Sequence, residues 1–197
     1  MSPGRCGGQA ASLPPVTTDA HTIAARTRLG EPLAVAELLG RPGVMRIGHF
    51  RLLSGLHTDT FVAFSGIAAD SAALDHVAEW MLGTVAAWEP TDVLAPTTAG
   101  VGLASTLARR LSARLNLADL SSAGRPQHII GTSLTPGARV LLVNDIVTTG
   151  AGLRALAELV STADASVTGA AWFVSRAQVN VTAALDAPTV HIADVDA

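Results

Sequence analysis

The stretch VLLVNDIVTTGAGLRAL, from Val140 to Leu156, constrains the fold more than any other part of this 197-residue chain. Val140 to Val143 form an uncharged, β-branch-rich run, too short for a helix and suited to a strand buried on both faces of a parallel sheet. Asn144 and Asp145 are expected to end that strand. Thr148, Thr149, Gly150, Ala151 and Gly152 then form a small-residue loop, after which Leu153, Leu156, Leu159 and Val160 recur at helical spacing. A loop of this kind converges backbone N–H groups on a phosphate at the positive end of a helix, and the threonine hydroxyls add donors. The Asp145 carboxylate falls at the strand's carboxyl end, where open α/β sheets bind ligands. The bland alternative is that Asn144 and Asp145 only cap a turn; the Thr-Thr-Gly loop and its helix favour a phosphorylated ligand.

The length suits one ordinary domain with an added tail or flap. Apolar residues make up 49% and the formal net charge is −3, a balance that argues against a nucleic-acid surface. Every basic side chain is an arginine; the chain has no lysine. Its one cysteine, Cys6, rules out a disulfide framework within the chain and makes an intracellular setting the default. No apolar run approaches the roughly 18 to 20 residues of a membrane-spanning helix, and the N-terminus lacks the apolar core of a signal peptide. The expectation is a cytoplasmic protein that uses no membrane.

Residues 1–19, rich in Gly, Pro, Ser and Ala, read as a mobile tail. One or two helices are expected between His21 and Leu39, ended by Gly40 and Pro42. Met45 to Phe64 reads as a hairpin turning at Ser54-Gly55. Ala68 to Trp88 carries Leu74, Val77, Ala78, Met81, Leu82 and Val85 on one helical stripe. Thr91 to Ala95 is a short apolar strand, followed by the loop Pro96-Thr97-Thr98-Ala99-Gly100 and a helix expected to run through Leu115. Leu117 to Leu120 is a candidate strand and Ser121 to Gly137 a loop. Ser166–Ser175 and Thr189–Val195 read as two more buried strands. Alternating strands and helices predict a doubly wound, mainly parallel α/β sheet with helices on both faces. Residues 20–197 are expected to form one domain, within which 20–66 supply a small N-terminal hood.

VLLVNDIVTTGAG resembles the phosphoribosyl-pyrophosphate (PRPP) signature of type I phosphoribosyltransferases. The resemblance implies that Asp145 and Asn144 hold ribose hydroxyls and that Thr148, Thr149, Gly150, Ala151 and Gly152 surround the 5′-phosphate. Asn144 departs from the pattern, which has an acidic residue there; an amide still hydrogen-bonds a hydroxyl but stabilises a cationic sugar less. GHFRLLSGLHTDTF (Gly48 to Phe61) is similar to the orotate phosphoribosyltransferase hairpin. APTTAGVGLAS (Ala95 to Ser105) resembles that family's pyrophosphate loop, which implicates Thr97, Thr98, Ala99 and Gly100. WFVSRAQ (Trp172 to Gln178) puts Arg176 where the family contacts the orotate carboxylate. The resemblance further implies Mg²⁺ bound mainly through PRPP, PRPP and a base as small-molecule partners, and a homodimer.

The departures matter for rate. The family has lysines where this chain has Leu53 and Ala99, and a mobile loop rich in Arg, Lys and His where Ser121 to Ile130 offers only Arg125 and His128. As pyrophosphate leaves, the ribosyl centre becomes oxocarbenium-like, and removing one positioned donor typically costs about 10²- to 10³-fold. Arg125 can substitute in part, being always charged and shaped for phosphate. His128 is a candidate acid toward pyrophosphate, or a solvated loop histidine. His57 faces either the ligand or solvent, and His49 is read as structural. Phe61 and Phe64 can stack on a base, although a core role is expected for at least one. Arg109-Arg110 is read as a solvated or oligomer-facing pair. The implied activity is transfer of 5-phosphoribosyl to a pyrimidine-like base. Binding without turnover, and cleavage of a nucleotide at the same site, are the rival readings.

Overall fold

The structure, a computed structural model, describes residues 25–51, 57–98, 100–122, 124–131, 133–176, 181 and 185–195. The tail, Cys6, Leu53, the Ser54-Gly55 turn, Ala99 and Gln178 lie outside the described residues. In chain order the elements are β1 (Ala25–Thr27), α1 (Pro32–Gly40), β2 (Met45–Arg51), β3 (His57–Val62), α2 (Ser65–Ala68), α3 (Ser71–Ala86) and β4 (Asp92–Pro96). They continue as α4 (Val101–Leu111), β5 (Arg114–Leu120), β6 (Pro126–Ile130), β7 (Arg139–Val147), α5 (Ala151–Thr162), β8 (Ser166–Ser175) and β9 (Thr189–Val195).

Seven strands form one sheet in the order β1-β9-β8-β7-β4-β5-β6. The five inner strands are parallel, and β1 and β6 close the edges antiparallel. The apolar run of β7 shows why. Leu141 and Val143 join the core beneath α1, α3 and α4, whereas Val140 and Leu142 join the core beneath α5. Alternate side chains thus bury opposite faces of the sheet, each fully buried Leu or Val contributing roughly 1.5–3 kcal/mol. This is the doubly wound, mainly parallel α/β sheet expected, with helices on both faces. The chain proceeds from β4 to β5 in one direction and from β7 to β8 and β9 in the other. The order therefore reverses between β4 and β7, the place where open α/β sheets leave a crevice at the strands' carboxyl ends. Among the described residues no helix is long and apolar enough to cross a membrane.

Several boundaries differ from the sequence expectations. Strand β7 does not end at Asn144; it runs on to Val147 because β8 continues beside it, pairing Asn144 with Trp172 and Ile146 with Val174. Helix α4 stops at Leu111 instead of Leu115. Ser112 takes a left-handed conformation (φ 53°), and Arg114 starts β5 opposite Asp92. Leu111 and Leu115 keep helical spacing, so only the neighbouring strand shows where the helix ends. The expected loop 121–137 contains β6, with Pro126 at its first residue, where an edge strand tolerates proline. Between His21 and Leu39 the described residues hold one helix, α1, preceded by β1. Of the stretch 20–66, β2 and β3 form their own two-stranded sheet. By contrast, β1 pairs with β9, and Val35, Leu38 and Leu39 of α1 belong to the central core. Arg109 and Arg110 pair with Asp75 and Glu79 of α3.

The sheet is pinned at its base by Asp92, 1% exposed. Its carboxylate accepts hydrogen bonds from Asn116 Nδ2 (3.0 Å), Arg114 Nη2 (2.9 Å) and Thr91 Oγ1 (2.7 Å). Burial pushes its pKa up, but the bonds from Arg114, Thr91 and Asn116 outweigh that and hold it below the usual carboxylate range. Asp92→Ala leaves the buried Asn116 amide unsatisfied. It is expected to lower stability by about 2–3 kcal/mol, or the Tm by roughly 4–12 °C. A carboxylate with a depressed folded-state pKa stabilises above its unfolded value and loses that contribution as pH falls through the folded value. The gap between wild type and Asp92→Ala in thermal melts should therefore narrow from pH 7 toward pH 3; a constant gap would rule out the ionic part of this account.

Candidate active site

The carboxyl ends of β4 and β7 lie side by side at the switch point, and the loops that follow them define the site. After β4, Thr97 N–H bonds Ala118 O (3.0 Å), Thr98 N–H bonds Pro96 O (2.8 Å), and Gly100 N–H approaches Thr98 Oγ1 (3.4 Å). Gly100 then passes directly over β7: a Cβ placed on it would lie 2.9 Å from Asp145 N and 3.2 Å from Asn144 C. Thr98 and Gly100 are thus brought against the Asn144–Asp145 backbone.

After β7, residues 148–150 turn the chain into α5. Gly150 caps that helix with φ 72°, a left-handed conformation that a Cβ would penalise. Thr149 Oγ1 accepts from Ala151 N–H at 3.3 Å. No described residue accepts from the Gly150 N–H, so an amide at the helix N-terminus is left for an anion. Asn144 Nδ2 lies 3.8 Å from the Cβ position of Gly152, which links the polar end of β7 to the loop.

Asn144 and Asp145 are half-buried. Asn144 Oδ1 accepts from Asp145 N–H (3.0 Å), and Asp145 Oδ1 accepts from Ile146 N–H (2.8 Å). Burial raises the Asp145 pKa, against the opposing pull of the backbone N–H groups of Ile146 and Asp145. The acid is thus held where its charge is poorly solvated, and an ionised carboxylate there interacts more strongly with a developing cation than it would in water.

Arg176 follows β8 and closes the site from the other side. Its N–H bonds Val147 O at 2.8 Å, fixing it to the end of β7. Its Nη2 donates to Thr58 Oγ1 of β3 at 2.6 Å, so the guanidinium joins the sheet to the hairpin. The residue is 8% exposed, and its Nε has no hydrogen-bond partner among the described residues. Burial pulls its pKa down, and the charge of Asp59 acts in the opposite direction.

The remaining candidates lie elsewhere. His57 is exposed and shares a 2.7 Å hydrogen bond with His49 across the hairpin. Phe61 is half-buried and packs on Phe50 at 5.4 Å between ring centres, whereas Phe64 is buried in the core against Phe173. Arg125 reaches Glu158 of α5 (3.2 Å), and His128 stands opposite Asp119 at 3.7 Å on the sheet's far edge. Among the described residues neither bonds to the 144–152 segment. Two residues that the sequence did not single out bond to candidate residues: Thr58 to Arg176, and Arg154, whose Nη1 donates to Thr149 O at 3.3 Å. The signal for Arg154 was its position four residues after Gly150, one helical turn from the loop.

Residues 66–182 match the phosphoribosyl transferase domain family. An orotate phosphoribosyltransferase of Thermus thermophilus is 36% identical over 121 residues, covering 61% of this chain and 66% of the relative, just under two thirds of its length. One from Thermotoga maritima is 30% identical over 133 residues, covering 68% of this chain and 71% of that relative. The crystal structure of orotate phosphoribosyltransferase from Aeropyrum pernix has the same fold, with a TM-score of 0.65 at 23% identity over 80% of this chain and 92% of that one. With the family match over residues 66–182 and the fold shared with the Aeropyrum enzyme, the chain belongs to the phosphoribosyl transferase domain family.

Proposed function

We propose that this protein transfers the 5-phosphoribosyl group of PRPP to an acidic, pyrimidine-like base, with release of pyrophosphate. Arg176 carries the acidic acceptor: a buried guanidinium whose described hydrogen-bond partner is a neutral hydroxyl and whose Nε has none. A buried cation without a bonded anion is unfavourable, so a carboxylate on the ligand supplies what the protein omits. The names of the Thermus and Thermotoga relatives support the same acceptor class.

In this reading the amides and hydroxyls of Thr148, Thr149, Gly150, Ala151 and Gly152 hold the 5′-phosphate, and Asp145 with Asn144 holds the ribose hydroxyls. Thr97, Thr98 and Gly100 face pyrophosphate, with Ala99 in the same loop. The bond from ribose C1 to the pyrophosphate oxygen breaks as the base nitrogen bonds to C1, and the proton lost from that nitrogen passes to the released pyrophosphate or to solvent. The low-polarity setting of Asp145 then favours the positive charge that develops on the sugar. Among the described residues no three or more His, Cys, Asp or Glu side chains cluster as metal ligands. One carboxylate beside a polyphosphate is enough for Mg²⁺, which is commonly held by one or two carboxylates and substrate oxygens. The residues therefore fit an ion carried by PRPP with Asp145 nearby, and its chemistry would be to neutralise the departing pyrophosphate.

Binding without turnover is the second reading, and one observation favours it: Arg125 and His128 are engaged by Glu158 and Asp119, away from the loops. Purified protein with Mg²⁺ and PRPP should form a nucleoside 5′-monophosphate from orotate in a panel of bases. PRPP binding by calorimetry with no product from any base would select the second reading. Asp145→Asn should lower product formation by about 10²- to 10³-fold. It should also raise the Tm at neutral pH. An acid whose folded-state pKa is raised contributes its stability below the unfolded value and loses it as pH rises through the folded value. At pH 7 the ionised Asp145 is therefore a burden that asparagine removes, and the stability gain should vanish in acid. Unchanged activity in this variant would remove Asp145 from the mechanism.

A further inference from the structure

We propose that Arg154 is a positioning residue for the 5′-phosphate loop, holding the Thr149 carbonyl so that the Gly150 N–H is turned toward the phosphate. The inference deepens the phosphoribosyl reading and rests on it. Arg154 Nη1 donates to Thr149 O at 3.3 Å and lies 3.3 Å from the Cβ position of Gly150, so the guanidinium is laid along the loop. The Arg154 N–H also bonds Gly150 O at 3.0 Å, so one residue holds two successive carbonyls of the turn, one by side chain and one by backbone.

The peptide joining Thr149 to Gly150 is trans, since the chain contains no cis peptide bond among the described residues. In a planar trans peptide the carbonyl and the N–H point in opposite directions. A guanidinium that captures the Thr149 oxygen on one side therefore turns the Gly150 N–H to the other. That N–H has no acceptor among the described residues. Gly150 at φ 72° has no Cβ to restrict the plane, so the turn needs an external hold.

Arg109, Arg110, Arg114 and Arg125 each pair with a carboxylate, whereas Arg154, like Arg26, Arg46, Arg51 and Arg176, has no ion pair with a described acid. Its charge stays uncompensated beside a loop suited to a dianion, in a chain with no lysine. The guanidinium thus fixes the plane and offsets the negative carbonyl that would otherwise face the phosphate.

The test is equilibrium binding of ribose 5-phosphate and of pyrophosphate to wild type, Arg154→Met, Arg154→Gln and Arg154→Lys, with Tm measured for each. Arg154→Met, a good helix former without donors, should weaken ribose 5-phosphate binding about tenfold, the worth of one charge-assisted hydrogen bond. Its pyrophosphate affinity and Tm should stay near wild type. Arg154→Gln, which keeps a donor for the carbonyl, should recover most of the loss. Wild-type affinity in Arg154→Met would overturn the proposal while leaving the phosphoribosyl reading intact. So would a loss in Gln equal to that in Met with full recovery in Lys, because charge alone would then be responsible. If wild type itself fails to bind ribose 5-phosphate, the underlying reading falls and this inference with it.

Discussion

Arg176→Met is expected to reduce kcat/KM for an acidic base by roughly 10²- to 10³-fold, the cost of truncating one partner of a buried charge pair, without lowering the Tm. The two effects have one cause. Arg176 is almost fully buried, receives no bonded carboxylate from the described residues, and has an Nε with no partner. Its pKa is pulled down by that burial. Such a group loads the fold, and methionine fills similar space without the desolvation cost. Only the Thr58 hydroxyl loses a hydrogen bond, and it keeps its bond to Thr60 O at 3.0 Å. Arg176→Lys should fail to restore transfer, because a compact ammonium cannot reproduce the planar fork. Bases without an acidic group should be nearly indifferent to the change, so the selectivity ratio collapses along with the rate. The measurements are kcat/KM on an acidic and a neutral base together with a thermal melt. A Tm loss of many degrees, or undiminished use of the acidic base, would make Arg176 a structural residue instead.

The parts of the fold that were legible in the sequence are those whose burial is two-sided and local. Val140 to Val143 and the Gly169–Val174 part of Ser166–Ser175 carry apolar runs suited to inner strands of a parallel sheet. The stripe on α3 is equally plain, and Asp70 at its start caps it by accepting from the N–H groups of Ala72 and Ala73. Legibility fails where a neighbour decides. Asn144 and Asp145 look like a strand end because they are polar, yet β8 keeps them extended. Gln127 and His128 look like loop because they are exposed, yet the free edge of β5 recruits them into β6. The same limit applies to the site. The Thr-Thr-Gly loop announces itself locally through its small residues. The bond from Arg176 to Thr58 spans 118 positions, so no local pattern reveals it. Arg154 was hidden for the opposite reason: on an amphipathic helix an arginine reads as an ordinary solvated residue.

Gly100→Ala should be the most damaging single-methyl change in the site, and the reason is steric, not conformational. Gly100 has φ −66° and ψ −14°, a backbone that alanine adopts without strain. The obstacle is that its Cβ would sit 2.9 Å from Asp145 N and 3.2 Å from Asn144 C. Those atoms belong to β7 beyond its last pair with β4, Leu94 with Leu142, but still beside β8, where Asn144 pairs with Trp172 and Ile146 with Val174, so the strand cannot yield without disturbing that ladder. The start of α4 must move instead, and it carries the Thr97–Gly100 loop with it. Overpacking of this kind costs about 1–3 kcal/mol, a Tm drop of roughly 2–12 °C. The catalytic cost should exceed what stability alone explains, since a displacement of about 1 Å between reacting groups can cost 10²-fold. Gly83→Ala supplies the control. Gly83 lies inside α3 with nothing within 4 Å of its Cβ position, so alanine there should stabilise by about 0.5–1 kcal/mol and leave transfer unchanged. Melts and kcat/KM for both variants decide the matter. If Gly100→Ala melts and turns over like Gly83→Ala, the close approach of Gly100 to the Asn144–Asp145 backbone of β7 is not what holds the ribose and pyrophosphate halves of the site together.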